Sequence, residues 1–241
     1  MQKSAIVIKS LKKSFGRQDV LQDISMSVNT GEYVGLVGMN GAGKTTLIKC
    51  ILDFCSIDAG TIQLFGIEHR KTDSRRQLTY LPEKFTPPYY LTGEDFLRYM
   101  ADLHGVKYQD TEVNGMLKLL DLDISALKKS VRQYSKGMGQ KLGLASCFLN
   151  KKDLMVFDEP MSGLDPRARA LLKRHLLSLK EQGKTLFYST HLLEDIQSLC
   201  DRVIILHQGK ICFAGTAAEC CVAYNANNLE AAYLACTDAE V

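Results

Sequence analysis

Apolar positions along the chain fall into two periods. Residues 4–11 (SAIVIKSL), 32–37 (EYVGLV), 60–65 (GTIQLF) and 78–82 (LTYLP) are short, apolar and rich in β-branched side chains, the pattern of strands. From Thr92 to His104 the period changes to that of a helix, with Phe96, Leu97, Met100 and Leu103 on one face. Thr92 stands as its N-cap and Asp95 follows three residues on. Residues 112–121 and 135–149 also read as helical. Leu154–Phe157, Thr185–Tyr188 and Val203–Leu206 are continuous apolar runs. Such runs suit strands buried on both faces of a mainly parallel sheet. A helix over 166–182 lies between the first two, as a parallel crossover requires. The pattern predicts a wound α/β core interrupted by a mostly helical insert over about 84–150.

Two segments carry chemistry. Gly38-Met39-Asn40-Gly41-Ala42-Gly43-Lys44-Thr45 matches G-x-x-x-x-G-K-[ST], with an apolar strand before it and the amphipathic run Thr46–Leu52 after it. Glycines let the backbone close around a phosphate, so that the amides of residues 41–46 and a helix N-terminus face the anion. Lys44 supplies a point charge to the β- and γ-phosphates, and the Thr45 hydroxyl can ligate Mg²⁺. The second segment, Leu154-Met155-Val156-Phe157-Asp158-Glu159, ends a buried strand with two carboxylates, where ligands collect in open α/β sheets. Asp158 is the candidate for the Mg²⁺ shell. Glu159 is the candidate general base for an attacking water.

Composition narrows the class. Of 241 residues, 46% are hydrophobic and 24% charged, with a net charge of +3. That is ordinary for a globular α/β chain and shows no concentrated basic face for nucleic acid. Cysteines stand at 50, 55, 147, 200, 212, 220, 221 and 236, without paired CxxC spacing, which suggests thiols in a reducing compartment. The start, Met1-Gln2-Lys3-Ser4, has no signal-peptide apolar region. No apolar stretch approaches the roughly 18 residues that span a bilayer. The expectation is a cytoplasmic protein that meets a membrane only through a partner. His69, His104, His175 and His207 show no metal-ligand spacing.

The remaining motifs resemble one family, the ATP-binding-cassette (ABC) ATPases. Pro160-Met161-Ser162-Gly163-Leu164-Asp165-Pro166 is similar to its D-loop. Tyr134-Ser135-Lys136-Gly137-Met138 stands in place of the LSGGQ signature. Ser189-Thr190-His191 matches the switch-histidine segment, and Tyr80-Leu81-Pro82-Glu83 occupies the position of the Q-loop. Phe15 sits where an aromatic ring stacks on adenine. Order and spacing hold from about residue 4 to 215. The signature keeps Ser135 and Gly137 but has Tyr134, Lys136 and Met138 for Leu, Gly and Gln. Glu83 replaces the usual Gln. The YLPE segment, the SKGM-type signature and the tail Asn228–Leu234 resemble the branch paired with ABC-2-type exporters.

The resemblance implies an α/β fold: a wound P-loop NTPase core with an N-terminal antiparallel β portion and a helical insert. It places one ABC ATPase domain over 1–241, with core at about 1–83 and 151–215, insert at about 84–150 and helical tail at about 216–241. It implies two nucleotide-binding subunits, identical or different, that sandwich ATP and Mg²⁺ head to tail and are bound to membrane-spanning transporter subunits. Thr45 and Asp158 would hold Mg²⁺ with Glu83 nearby. Glu159 would activate water, and His191 would sense the γ-phosphate and orient Glu159. Ser135 and Gly137 would act in trans on the partner's nucleotide, and Asp165 would span the interface. The segment Lys84–Leu91, aromatic and proline-rich, would meet the membrane subunit. Ribosome-associated relatives carry two cassettes and the DNA-repair branch a long coiled coil; one cassette without heptads resembles neither. The presence of Lys44, Asp158, Glu159 and His191 speaks against a non-catalytic cassette.

Overall fold

The computed structural model describes residues 3–238. The ends of the expected core and tail, at 1–2 and 239–241, lie outside the described residues. β1 (Ser4–Phe15) and β2 (Gln18–Asn29) form an antiparallel hairpin in which Phe15 faces Gln18. Gly16, at φ 61, supplies the left-handed residue of its turn. β4 (Ala59–Leu64) and β5 (Ile67–Glu68) complete a four-stranded sheet in the order β2-β1-β4-β5.

The second sheet has six strands. They are β3 (Tyr33–Val37), β6 (Leu78–Leu81), β7 (Leu154–Asp158), β8 (Thr185–Thr190), β9 (Arg202–His207) and β10 (Lys210–Gly215). The order is β10-β9-β3-β8-β7-β6, parallel except for β10 at the edge. The chain therefore agrees with the expected wound α/β core and antiparallel portion. β2, β5 and β10 go beyond the sequence reading, and β1 runs on past residue 11 to Phe15.

The continuous apolar runs are divided by the pleat between two cores. Val34, Leu36, Val156, Phe187, Ile204 and Leu206 point to one side, against α1 (Lys44–Ile51) and the antiparallel sheet. Tyr33, Val37, Phe157, Tyr188, Val203 and Ile205 point to the other side. There they meet α4 (Lys136–Leu149), α5 (Pro166–Glu181) and α6 (Leu193–Leu199). Each such buried Val, Leu, Ile or Phe contributes about 1.5–3 kcal/mol, and this burial fixes β3 and β7, which lead into Gly38 and end at Asp158.

Between β6 and β7 lie α2 (Gly93–Leu103), α3 (Asp110–Leu119) and α4, where the helical insert was expected. Thr92 caps α2 in a reciprocal capping box with Asp95, as the spacing suggested. The tail forms α7 (Ala217–Ala223), capped by Thr216 and Glu219, and α8 (Leu229–Asp238). Among the described residues no helix is long and apolar enough to cross a membrane.

Candidate nucleotide site

β3 ends at Val37 and the chain turns through residues 38–43 into α1. This turn is possible only with glycine at certain places. A Cβ on Gly38 would lie 2.3 Å from the Leu206 carbonyl oxygen. Gly43 has φ 108, and a Cβ there would meet Leu21 and the Val20 carbonyl at 2.9 and 3.0 Å. Gly43 is also the N-cap of α1, and no side chain caps this helix. Its first-turn amides, those of Lys44, Thr45 and Thr46, have no acceptor within the helix. No acidic side chain occupies that turn. The N-terminus of α1 is thus an open set of N–H donors with the positive end of the helix dipole behind it.

These donors face a cleft of about 640 Å³, lined by Asn40, Gly41, Gly43, Lys44, Thr45, Thr46, Glu83, Asp158, Glu159 and His191. Val20, Met39 and Ser162 complete the lining. Lys44 is 7% exposed and donates from Nζ to the Gly38 and Met39 carbonyls at 2.7 and 3.3 Å. Burial pushes its ammonium below the usual lysine range, and Glu159, Asp158 and Glu83 pull it back up. Gly38 and Ala42 shape the loop from behind, Ala42 being buried.

The acidic end of β7 faces this loop. Thr45 donates from Oγ1 to Asp158 Oδ2 at 2.8 Å. The Ser189 hydroxyl donates to the other oxygen of the same carboxylate. Parallel pairing of β7 with β8 sets Asp158 opposite Ser189. Glu159 follows with φ 50, a left-handed conformation uncommon off glycine, and turns the chain at the end of β7. Its N–H donates to the Ser189 carbonyl and hydroxyl at 3.2 and 3.1 Å. Its Oε2 lies 2.9 Å from His191 Nδ1. Ser189 therefore holds the Asp158 carboxylate and the Glu159 backbone, yet sequence reasoning assigned it no role. Its signal was its place two residues before His191 at the end of the neighbouring strand.

Mg²⁺ fits this donor set. Thr45 Oγ1 and Asp158 Oδ2 are hard oxygens held side by side, as a cation that keeps waters and phosphate oxygens requires. Glu83 lines the same cleft. Among the described residues no cluster of three His, Cys, Asp or Glu could form a metal cage on its own.

Not every expected residue joins the cleft. Ser135 is the N-cap of α4, accepting from the Met138 N–H at 3.2 Å. It lines a separate groove of about 660 Å³ with Glu83, Phe85, Tyr89 and Lys136. Gly137 packs on Gly163, where a Cβ would stand 2.8 Å from the carbonyl oxygen. Asp165 caps α5 through the Ala168 N–H at 2.9 Å. Phe15 is 52% exposed, with Lys13 Nζ 5.0 Å from its ring centre, and Val20 rather than Phe15 lines the cleft.

The family model described as ABC transporter matches residues 21–162, more than half of the chain. The chain belongs to the ABC transporter family of ATP-binding ATPases. This ABC ATPase is 40% identical over 202 residues to an uncharacterized ABC transporter ATP-binding protein of Synechocystis, a match covering 83% of this chain and 57% of that protein. The chain thus spans less than two thirds of that relative's length. It is 35% identical over 214 residues to the Nod factor export ATP-binding protein I of Burkholderia orbicola, covering 87% of this chain and 70% of the relative. A solved structure described as the ATP binding subunit of an ABC transporter superposes with a TM-score of 0.89 at 32% identity. It covers 97% of this chain and 99% of that one.

Proposed function

We propose that this ABC ATPase is the nucleotide-binding subunit of a transporter. In this reading it hydrolyses Mg-ATP in a head-to-tail dimer and drives export through separate membrane-spanning subunits on the cytoplasmic face. The observation that carries the reading is the convergence of Lys44, Thr45, Asp158, Glu159 and His191 on one cleft while Ser135 and Gly137 stand outside it. A site with its phosphate cradle on one surface and its signature helix on another is completed by a second copy or a homologue. The name of the Burkholderia relative favours export.

Each side chain has a defined task here. The open amides of α1 hold phosphate oxygens, and Lys44 exchanges its loop carbonyls for them. Thr45 and Asp158 would hold Mg²⁺, with Glu83 beside them; bound there, the ion supplies charge neutralisation on the phosphates. Glu159 takes the proton of the attacking water, and His191 holds the Glu159 carboxylate in place through their 2.9 Å contact. Asp165, its side chain 54% exposed, would face the partner, and Phe15, exposed outside the cleft, would meet the base. The exposed Tyr89 and Tyr90, 68% and 72% accessible, present an apolar surface for the membrane subunit.

The shared site is tested by complementation. Ser135→Arg and Lys44→Ala are each inactive as homodimers. Mixed, they form heterodimers with one site broken twice and the other whole, and ATPase activity returns that neither parent has. A Ser135→Arg protein that hydrolyses ATP at the wild-type rate as a monomer overturns the shared site.

A further inference from the structure

The first residues of α4 grip the loop that runs from Glu159 to α5 at four points. Lys136 donates from Nζ to the Ser162 hydroxyl at 3.0 Å. Gly137 backs onto the Gly163 carbonyl so closely that only glycine fits without a shift. Gln140 donates from Nε2 to the Pro160 carbonyl at 3.1 Å. Lys141 Nζ stands 3.6 Å from the Asp165 carboxylate. Positions 136 and 137 are followed by 140 and 141 one helical turn later, so a single face of α4 makes all four contacts.

Two of these side chains are deeply buried: Gln140 is 3% and Lys141 8% exposed. Polar groups at that depth are satisfied by defined partners, and here the partners are on the loop. Lys141 has a second hold. Its Nζ donates to the Asp121 carbonyl at 2.8 Å, in the turn that closes α3. Asp121 also lies 3.5 Å from Arg167 on α5. One cation thus joins the insert, the loop and α5.

The loop begins with Glu159 in its left-handed conformation, and the Ser162 N–H closes the turn on the Glu159 carbonyl at 3.0 Å. Such a conformation persists only where the surroundings over-determine it. Neither Gln140 nor Lys141 lines the nucleotide cleft. We infer that Gln140 and Lys141 are positioning residues for Glu159: they hold residues 160–165 against α4, and Lys141 ties the aim of the carboxylate to the helical insert through Asp121. This rests on the reading of Glu159 as the general base.

The experiment uses the full chain carrying Lys141→Met, Lys141→Arg or Gln140→Met, with Lys44→Ala and Glu159→Gln as references. ATP turnover, Mg-ATP affinity and thermal unfolding are measured for each. Misplacement of a reacting group costs up to about 10²-fold. Lys141→Met and Gln140→Met therefore lower kcat about 10-fold or more, while the Mg-ATP Kd stays within about twofold, a loss confined to the chemical step. Lys141→Arg, which keeps the cation, recovers most of the rate. If Lys141→Met does not fold, Gln140→Met carries the same comparison. Folded Lys141→Met or Gln140→Met turning over at the wild-type rate overturns the inference, as does a Kd that weakens in step with kcat. An inactive Glu159→Gln beside a fully active Lys141→Met sinks the positioning role alone. Wild-type turnover by Glu159→Gln sinks the general-base reading beneath it.

Discussion

Glu159 is set by its backbone as much as by its side chain. Its N–H is held by Ser189 and its carboxylate by His191, so replacing it with Gln keeps shape and hydrogen-bonding length while removing the proposed base. Glu159→Gln is expected to lose about 10²–10⁴-fold in phosphate release and to bind Mg-ATP as the wild type does in a titration. Wild-type turnover would remove Glu159 from the chemistry. Gly43 tests the cradle instead. An added methyl meets Leu21 Cδ2 and the Val20 carbonyl oxygen at a residue with φ 108. Gly43→Ala should cost about 1–3 kcal/mol of stability through overpacking and strain, read by denaturant unfolding, and should weaken nucleotide binding. An unchanged midpoint would mean that the loop accommodates a Cβ, against the geometry.

The helices differ in how their N-termini are finished. α2 and α7 carry reciprocal capping boxes, at Thr92 with Asp95 and at Thr216 with Glu219. α1 begins at an uncapped glycine above the cleft. α3 and α6 also lack side-chain caps but carry acidic residues in their first turns, whereas α1 has neither cap nor acid, so its donors stay open to an anion. Thr92→Ala removes a cap worth about 1 kcal/mol. In a chain of this size the melting temperature should fall by about 2–4 °C, with Mg-ATP affinity unchanged because α2 does not reach the cleft. A shift in affinity without a thermal shift would contradict the assignment of Thr92 to stability alone.

Across the whole molecule, burial lowers the proton affinity of three histidines. His69 is desolvated, with the Ile62 carbonyl and Asp53 opposing the shift; His104 is desolvated and faces Lys152; His175 is desolvated against Phe148. Their ordinary value is 6.5 and all three lie below it in the folded chain. Above that pH both states are neutral and the contribution is intact. As pH falls through 6.5 the unfolded chain binds protons first, so folding stability drops. The carboxylates held below their ordinary values, Asp58, Asp95, Asp123, Asp165 and Glu219, act lower down. Their stabilisation is present above the ordinary 3.8 or 4.5 and is lost beneath it. Urea midpoints should therefore be lower at about pH 5.5 than at about pH 7.5, before any of these carboxylates titrates. Equal midpoints would mean that the histidines are open to protons in the native state.

Local chemistry was legible in the order of residues. Gly38–Thr45 and Asp158-Glu159 are contiguous, so the phosphate cradle and the acidic strand end each declare themselves within a few residues. The Thr92 capping box spans one helical turn and was read for the same reason. β2 was missed because Asp19, Gln22, Asp23 and Ser25 interrupt its apolar positions. Only pairing with β1 makes it a strand, its apolar residues turned to the core. Ser189 owes its place on Asp158 to strand register across 31 residues, and Gln140 meets Pro160 only because α4 packs beside β7. Hydrophobic period and short motifs therefore determined most of the elements and the candidate groups of the site. The tertiary structure decided which of them meet, because strand register and helix packing depend on contacts between residues far apart in the chain.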